Sequence, residues 1–64
     1  MIRFETFERL TLRGRRYFFR LVVVGNSEII AQSEAYNSAR ARDHAIRLIR
    51  HGAFEARVIE GTRS

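Results

Sequence analysis

Eight consecutive residues, Tyr17-Phe18-Phe19-Arg20-Leu21-Val22-Val23-Val24, constrain the fold of this chain more than any other segment. Aromatic and β-branched side chains dominate it, which predicts a strand. Alternation would place Tyr17, Phe19, Leu21 and Val23 on one side and Phe18, Arg20, Val22 and Val24 on the other. Both sides are largely apolar, so both call for cover. A chain of 64 residues has few elements with which to cover two faces. A domain of this size buries only about 60% of the surface its unfolded chain exposes. Small domains are usually reinforced by disulfides, a structural metal or oligomerisation. Cysteine is absent and the imidazoles are two, His44 and His51, so the first two supports are not expected. Self-association is the support left, and a homodimer is the leading expectation.

The other elements follow from pattern. Arg3–Arg9 alternates as a strand, and Leu10–Arg16, with Gly14 and three arginines, reads as a hairpin loop. Gly25-Asn26-Ser27 reads as a tight turn, because Gly and Asn tolerate positive φ, and Glu28–Ser33 as a third strand. Ser38 stands where a helix N-cap belongs, ahead of helical character over Ala39–His51. Gly52 occupies the position of a C-terminal glycine, with Arg47, Arg50 and His51 in the last turns suiting the helix dipole. Ala41, Ala45, Ile46, Leu48 and Ile49 make the arc expected to pack on the sheet, with Arg42 in its middle. Phe54–Glu60 alternates as a last strand, with Phe54, Ala56 and Val58 on one face, and Gly61–Ser64 reads as a frayed tail. The prediction is a single α+β domain over residues 1–64: a β(3)-α-β unit, an antiparallel sheet with one covering helix.

All 12 basic residues are arginines, against seven acids, for a net charge of +5. That balance favours polyanionic partners. Arg9, Arg13, Arg15 and Arg16 form the densest basic cluster, at the hairpin. Arg40, His44, Arg47 and His51 follow helical spacing and would line the solvent side of the helix. These eight are the candidate residues for binding a polyanion or an acidic partner. Tyr17, Phe18 and Phe19 suggest base stacking, but an aromatic strand is more often core or interface. Arg20, among apolar neighbours, is expected to pair with an acid such as Glu5 or Glu28, or to face a partner subunit.

Catalysis finds little support. Cysteine and lysine are lacking, Ser38 reads as a cap, the carboxylates are scattered among arginines, and no glycine-rich phosphate loop is present. A non-enzymatic protein without cofactor or metal is expected. The longest apolar runs are strand-sized and the first residues have no apolar signal core, so the expectation is a cytoplasmic protein without membrane contact.

Order and spacing add a resemblance. Gly25-Asn26-Ser27-Glu28-Ile29-Ile30-Ala31, Ser33-Glu34-Ala35-Tyr36, Ser38, Ala45-Ile46 and Ala56-Arg57-Val58-Ile59-Glu60 resemble the YegP-like family of small bacterial and archaeal proteins, from Phe4 to Glu60. Ser27, Ala35 and Ala45 stand where that family favours glycine, and Phe54 where it favours proline. Phe18 and Val22 replace residues that are often charged, Arg42 replaces a small one, and the first loop reads as longer. The resemblance implies β(3)-α-β units paired in tandem or as a homodimer, with C-terminal strands exchanged into one sheet. One unit per chain implies the homodimer. Its interface would use Phe18, Val22, Val24, Phe54, Ala56, Val58 and Ile59. The family lends no activity. Three functions remain: a non-catalytic homodimeric accessory or interaction module, a weak charge-driven RNA or single-stranded DNA binder, and a small phage-type inhibitor or effector of a larger protein.

Overall fold

Two long strands of alternating residues, joined by the shortest of hairpins, make the frame of the molecule. The structure is a computed structural model and describes residues 1–53, 56–59 and 61. Strand β1 (Ile2–Thr11) and strand β2 (Gly14–Val23) pair antiparallel without interruption, from Ile2 opposite Val23 to Thr11 opposite Gly14. The seven-residue loop expected over Leu10–Arg16 is therefore a two-residue turn, Leu12-Arg13. Gly14, at φ 104°, supplies the left-handed conformation that lets so short a turn close. Thr11 reinforces it, its hydroxyl accepting from the Arg13 amide at 3.1 Å and donating to the Gly14 carbonyl at 2.8 Å.

Strand β3 (Ile29–Gln32) returns along the other side of β2, giving the order β1-β2-β3. The turn before it takes its positive φ from Gly25 and Ser27, not from Asn26; the Asn26 side chain instead accepts from the Glu28 amide at 3.0 Å. Leu21 faces Ala31 and Val22 faces Ile29, so Ile30 is an extra residue that breaks the register. Beyond β3, the Ser33 hydroxyl accepts from the Phe19 amide at 2.9 Å and the Ser33 amide donates to the Phe19 carbonyl at 2.8 Å. An isolated bridge between Tyr17 and Tyr36 extends the seam, with both backbone hydrogen bonds made.

Helix α1 (Ala39–Gly52) starts at Ser38, whose hydroxyl accepts from the Ala41 amide at 3.1 Å. The cap is the one the sequence predicts. The stop is not: Gly52 lies inside the helix, and Ala53, in right-handed conformation, is the C-cap, donating to the Ile49 carbonyl. The helix lies against β2. Its half-buried positions are Ala39, Arg42, Ala45, Ile46 and Ile49. Ala41 and Leu48, expected on that face, are exposed. The difference is a rotation about the helix axis, and it sets Arg42, with 12% of its side chain exposed, against the sheet. The Arg42 guanidinium lies 5.7 Å from the centre of the Tyr17 ring, which makes an arginine at a core-facing position stable there.

The core is small. Among the described residues only Phe19, 6% exposed, and Val22, 2% exposed, are buried. Phe19 packs with Phe4, ring centres 5.8 Å apart, and with Tyr36 at 6.3 Å. The last strand expected at Phe54–Glu60 is not formed within the chain at its described positions: Ala56–Ile59 belong to no strand and are exposed. Phe54, Glu55 and Glu60 lie outside the described residues. Among the described residues, no helix is long and apolar enough to cross a membrane.

Candidate functional site

Alternation along β1 and β2 divides the sheet into two faces of different chemistry. One carries Tyr17, Phe19 and Leu21 of β2 with Phe4 of β1, and α1 covers it. On the opposite face the register sets Glu5 against Arg20, Phe7 against Phe18 and Arg9 against Arg16. The Phe7 and Phe18 rings are parallel to within 6°, with centres 5.1 Å apart, an offset stack. The Arg9 guanidinium lies 5.4 Å from the Phe7 centre and 5.9 Å from the Phe18 centre, and the Arg20 guanidinium lies 4.9 Å from Phe7. Two cations thus flank one aromatic pair.

Glu5 is the acid on this face. Its carboxylate accepts from Arg3 Nε at 2.9 Å and from Arg20 Nε at 3.2 Å. These hydrogen bonds, Arg3 first and Arg20 second, hold the Glu5 carboxyl below the usual carboxylate range. The partner expected for Arg20 is therefore one of those the sequence offers. Arg9 and Arg16 make no ion pair among the described residues; the ion-paired arginines are Arg3, Arg15, Arg20 and Arg42. Arg16 donates from its terminal nitrogen to the Ala35 carbonyl at 3.2 Å, while its buried Nε has no acceptor.

The hairpin cluster expected from sequence is thus dispersed. Only Arg13 sits in the turn. Arg15 pairs with Glu8 at 3.0 Å, and alternation puts it on the helix side of the sheet. Arg9 and Arg16 belong to the opposite face. Arg40, His44, Arg47 and His51 are all exposed on α1, as their spacing predicts. Since α1 covers the other side of the sheet, this stripe and the Arg9–Arg16 pair lie on opposite sides of the molecule. Arg3, Glu5, Phe7 and Arg20 are members of the open face that the sequence reading did not assign to a site. The signal that finds them is Thr11-x-x-Gly14, which fixes the hairpin register and sets Phe7 opposite Phe18. Among the described residues, no three His, Cys, Asp or Glu side chains gather as metal ligands.

Residues 14–60 match the model of a family described as a domain of unknown function, DUF1508. The chain belongs to the DUF1508 family. YegP-like proteins are members of it, so the resemblance read from the sequence holds. The DUF1508 match runs from Gly14 to Glu60, so it takes in β2, β3 and α1 but not β1. Of the two halves of the open face, Arg16, Phe18 and Arg20 fall within it and Arg3, Glu5, Phe7 and Arg9 precede it. No curated protein and no solved structure matches the chain.

Proposed function

We propose that this DUF1508 protein is a non-catalytic interaction module that works as a homodimer, with Ala56–Ile59 added as a strand to the partner's sheet. The observation that carries the reading is Val58. In an alternating segment with strand character, Val58 is 95% exposed and, among the described residues, no strand receives it. Both β1 and β3 are edges of the sheet, each with a row of backbone groups open to pairing. A shallow apolar groove beside the end of α1, lined by Leu48, Ile49, Gly52, Ala53 and Ala56, adds surface that a partner would cover. Two buried residues among those described make a small core for a stable domain, and dimerisation would enlarge it.

Of the interface residues expected from sequence, Val24, Ala56, Val58 and Ile59 are exposed and available to a second chain. Val22 is already buried within one chain, and Phe18 sits in the arginine-flanked stack. Phe54 lies outside the described residues. The non-catalytic part of the reading rests on how the hydroxyls are used: Ser38 caps α1, and Ser33 bonds the β2 backbone and the Glu34 carbonyl. The cytoplasmic setting belongs to the same proposal.

Sedimentation equilibrium at low micromolar concentration tests it. The expected result is a dimer, and Val58→Asp should weaken association by at least about a hundredfold, since a carboxylate would enter an apolar seam. A wild-type monomer, or a Val58→Asp protein that dimerises as well as wild type, overturns the reading.

A further inference from the structure

We propose that the sheet face opposite α1 binds single-stranded nucleic acid, with Arg9 and Arg16 holding the phosphodiester backbone and the Phe7–Phe18 stack receiving an unpaired base.

Arg9 and Arg16 stand directly opposite across β1 and β2, where like charges repel at short range. Neither has a carboxylate among the described residues. An anion between the two side chains would relieve the repulsion. Guanidinium groups hold phosphate oxygens in a bidentate fork, which makes phosphate a well-matched anion.

The neighbours of this pair extend the ligand beyond a single phosphate. Phe7 and Phe18 are half-buried, so part of each ring meets solvent next to Arg9. Parallel rings flanked by guanidinium planes form a surface on which any unpaired base can stack. A base inside a duplex presents no such face, so the occupant is a single strand. Arg3 and Arg20, though engaged with Glu5, continue the positive charge along the strands. That same charge argues against a second copy of the chain seated face to face, which would bury four arginines per copy against four of the same sign. The helix stripe, on the far side of the molecule, takes no part.

The test is fluorescence anisotropy with a labelled 12-nucleotide single-stranded DNA, against its duplex and inorganic polyphosphate as competitors. Two phosphate contacts predict affinity falling about sevenfold between 50 and 200 mM salt. The Arg9→Gln, Arg16→Gln double variant should lose that salt dependence and most binding. Phe18→Leu, which keeps an apolar side chain but removes the ring, should weaken binding about tenfold without changing the salt slope. Arg40→Gln, Arg47→Gln should bind as wild type does. Circular dichroism and sedimentation of the same samples establish that each variant is folded, and read the dimer separately from the ligand. Absence of binding at 50 mM salt, equal affinity for duplex, polyphosphate competition with no Phe18→Leu effect, or a folded Arg9→Gln, Arg16→Gln protein that binds as wild type overturns the proposal.

Discussion

The two faces of β2 carry aromatic residues one position apart and use them in opposite ways. Phe19 points to the helix side, where Phe4 and Tyr36 close over it and 6% of its surface is left exposed. Phe18, its neighbour, points away, and what meets it is one parallel ring and a guanidinium. The first arrangement removes apolar area from water and drives folding. The second leaves the rings half-buried under cations that stay hydrated, so it contributes less to stability and keeps chemistry available to a ligand. Apolar composition alone does not separate core from surface, and neither does the face alone: Val22, on the same side of β2 as Phe18, is 2% exposed.

Mutation breaks or sharpens this contrast. The largest effect is expected at Phe19→Ala, at about 3–5 kcal/mol, enough to unfold a domain of this size. Phe18→Ala should cost only about 1 kcal/mol for its ring pair and the area it still covers. Urea unfolding, run at one protein concentration because a dimer's stability depends on it, compares the two. Equal costs would mean that something covers both faces alike. A smaller effect is expected at Arg42→Ala, roughly 1 kcal/mol, from lost contact with Tyr17 and lost packing of the arginine stem. A neutral result by thermal unfolding would move the helix–sheet seam away from Arg42.

The smallest effect belongs to Glu5 on the open face. Its carboxyl is held below its ordinary value of 4.5 by Arg3 and then Arg20. The folded state therefore binds this proton less readily than the unfolded chain. The associated stability is present above pH 4.5 and is lost as pH falls through the lower, folded-state value. Urea midpoints of wild type and Glu5→Gln should thus converge on acidification. A difference that stays constant with pH would mean the carboxylate is not paired in solution.

Much of this architecture is legible in the residues. Ser38 ahead of Ala39 marks the helix start because a hydroxyl there satisfies a free amide, a purely local interaction. The three strands follow from alternation and β-branched content, and the charge of Arg20 asks for an acid that Glu5 provides. The helix end is less legible. A glycine after His51 suggests a left-handed cap, yet the chain continues in right-handed conformation through Gly52 to Ala53. Leu48 and Ala41 fall within the apolar arc by spacing, but the helix rolls toward Arg42 because Tyr17 offers its ring there. The strand character of Ala56–Val58 is plain in the alternation, while among the described residues no strand receives it.

The candidate site was the least legible part, and the reason is register. Reading Leu10–Arg16 as a loop gathers Arg13, Arg15 and Arg16 into one basic tip. A two-residue turn at Leu12-Arg13 instead threads Arg15 and Arg16 into β2, on opposite faces. Local composition is enough to specify that β1, β2 and α1 exist and where α1 begins, because propensity, alternation and capping act between near neighbours. Which face each arginine occupies, and that Arg9 meets Arg16 and Phe7 meets Phe18, depends on pairing between residues up to 21 positions apart, as with Ile2 and Val23. A slip of one residue would send every one of those side chains to the other side of the sheet, so only the closed tertiary structure decides it.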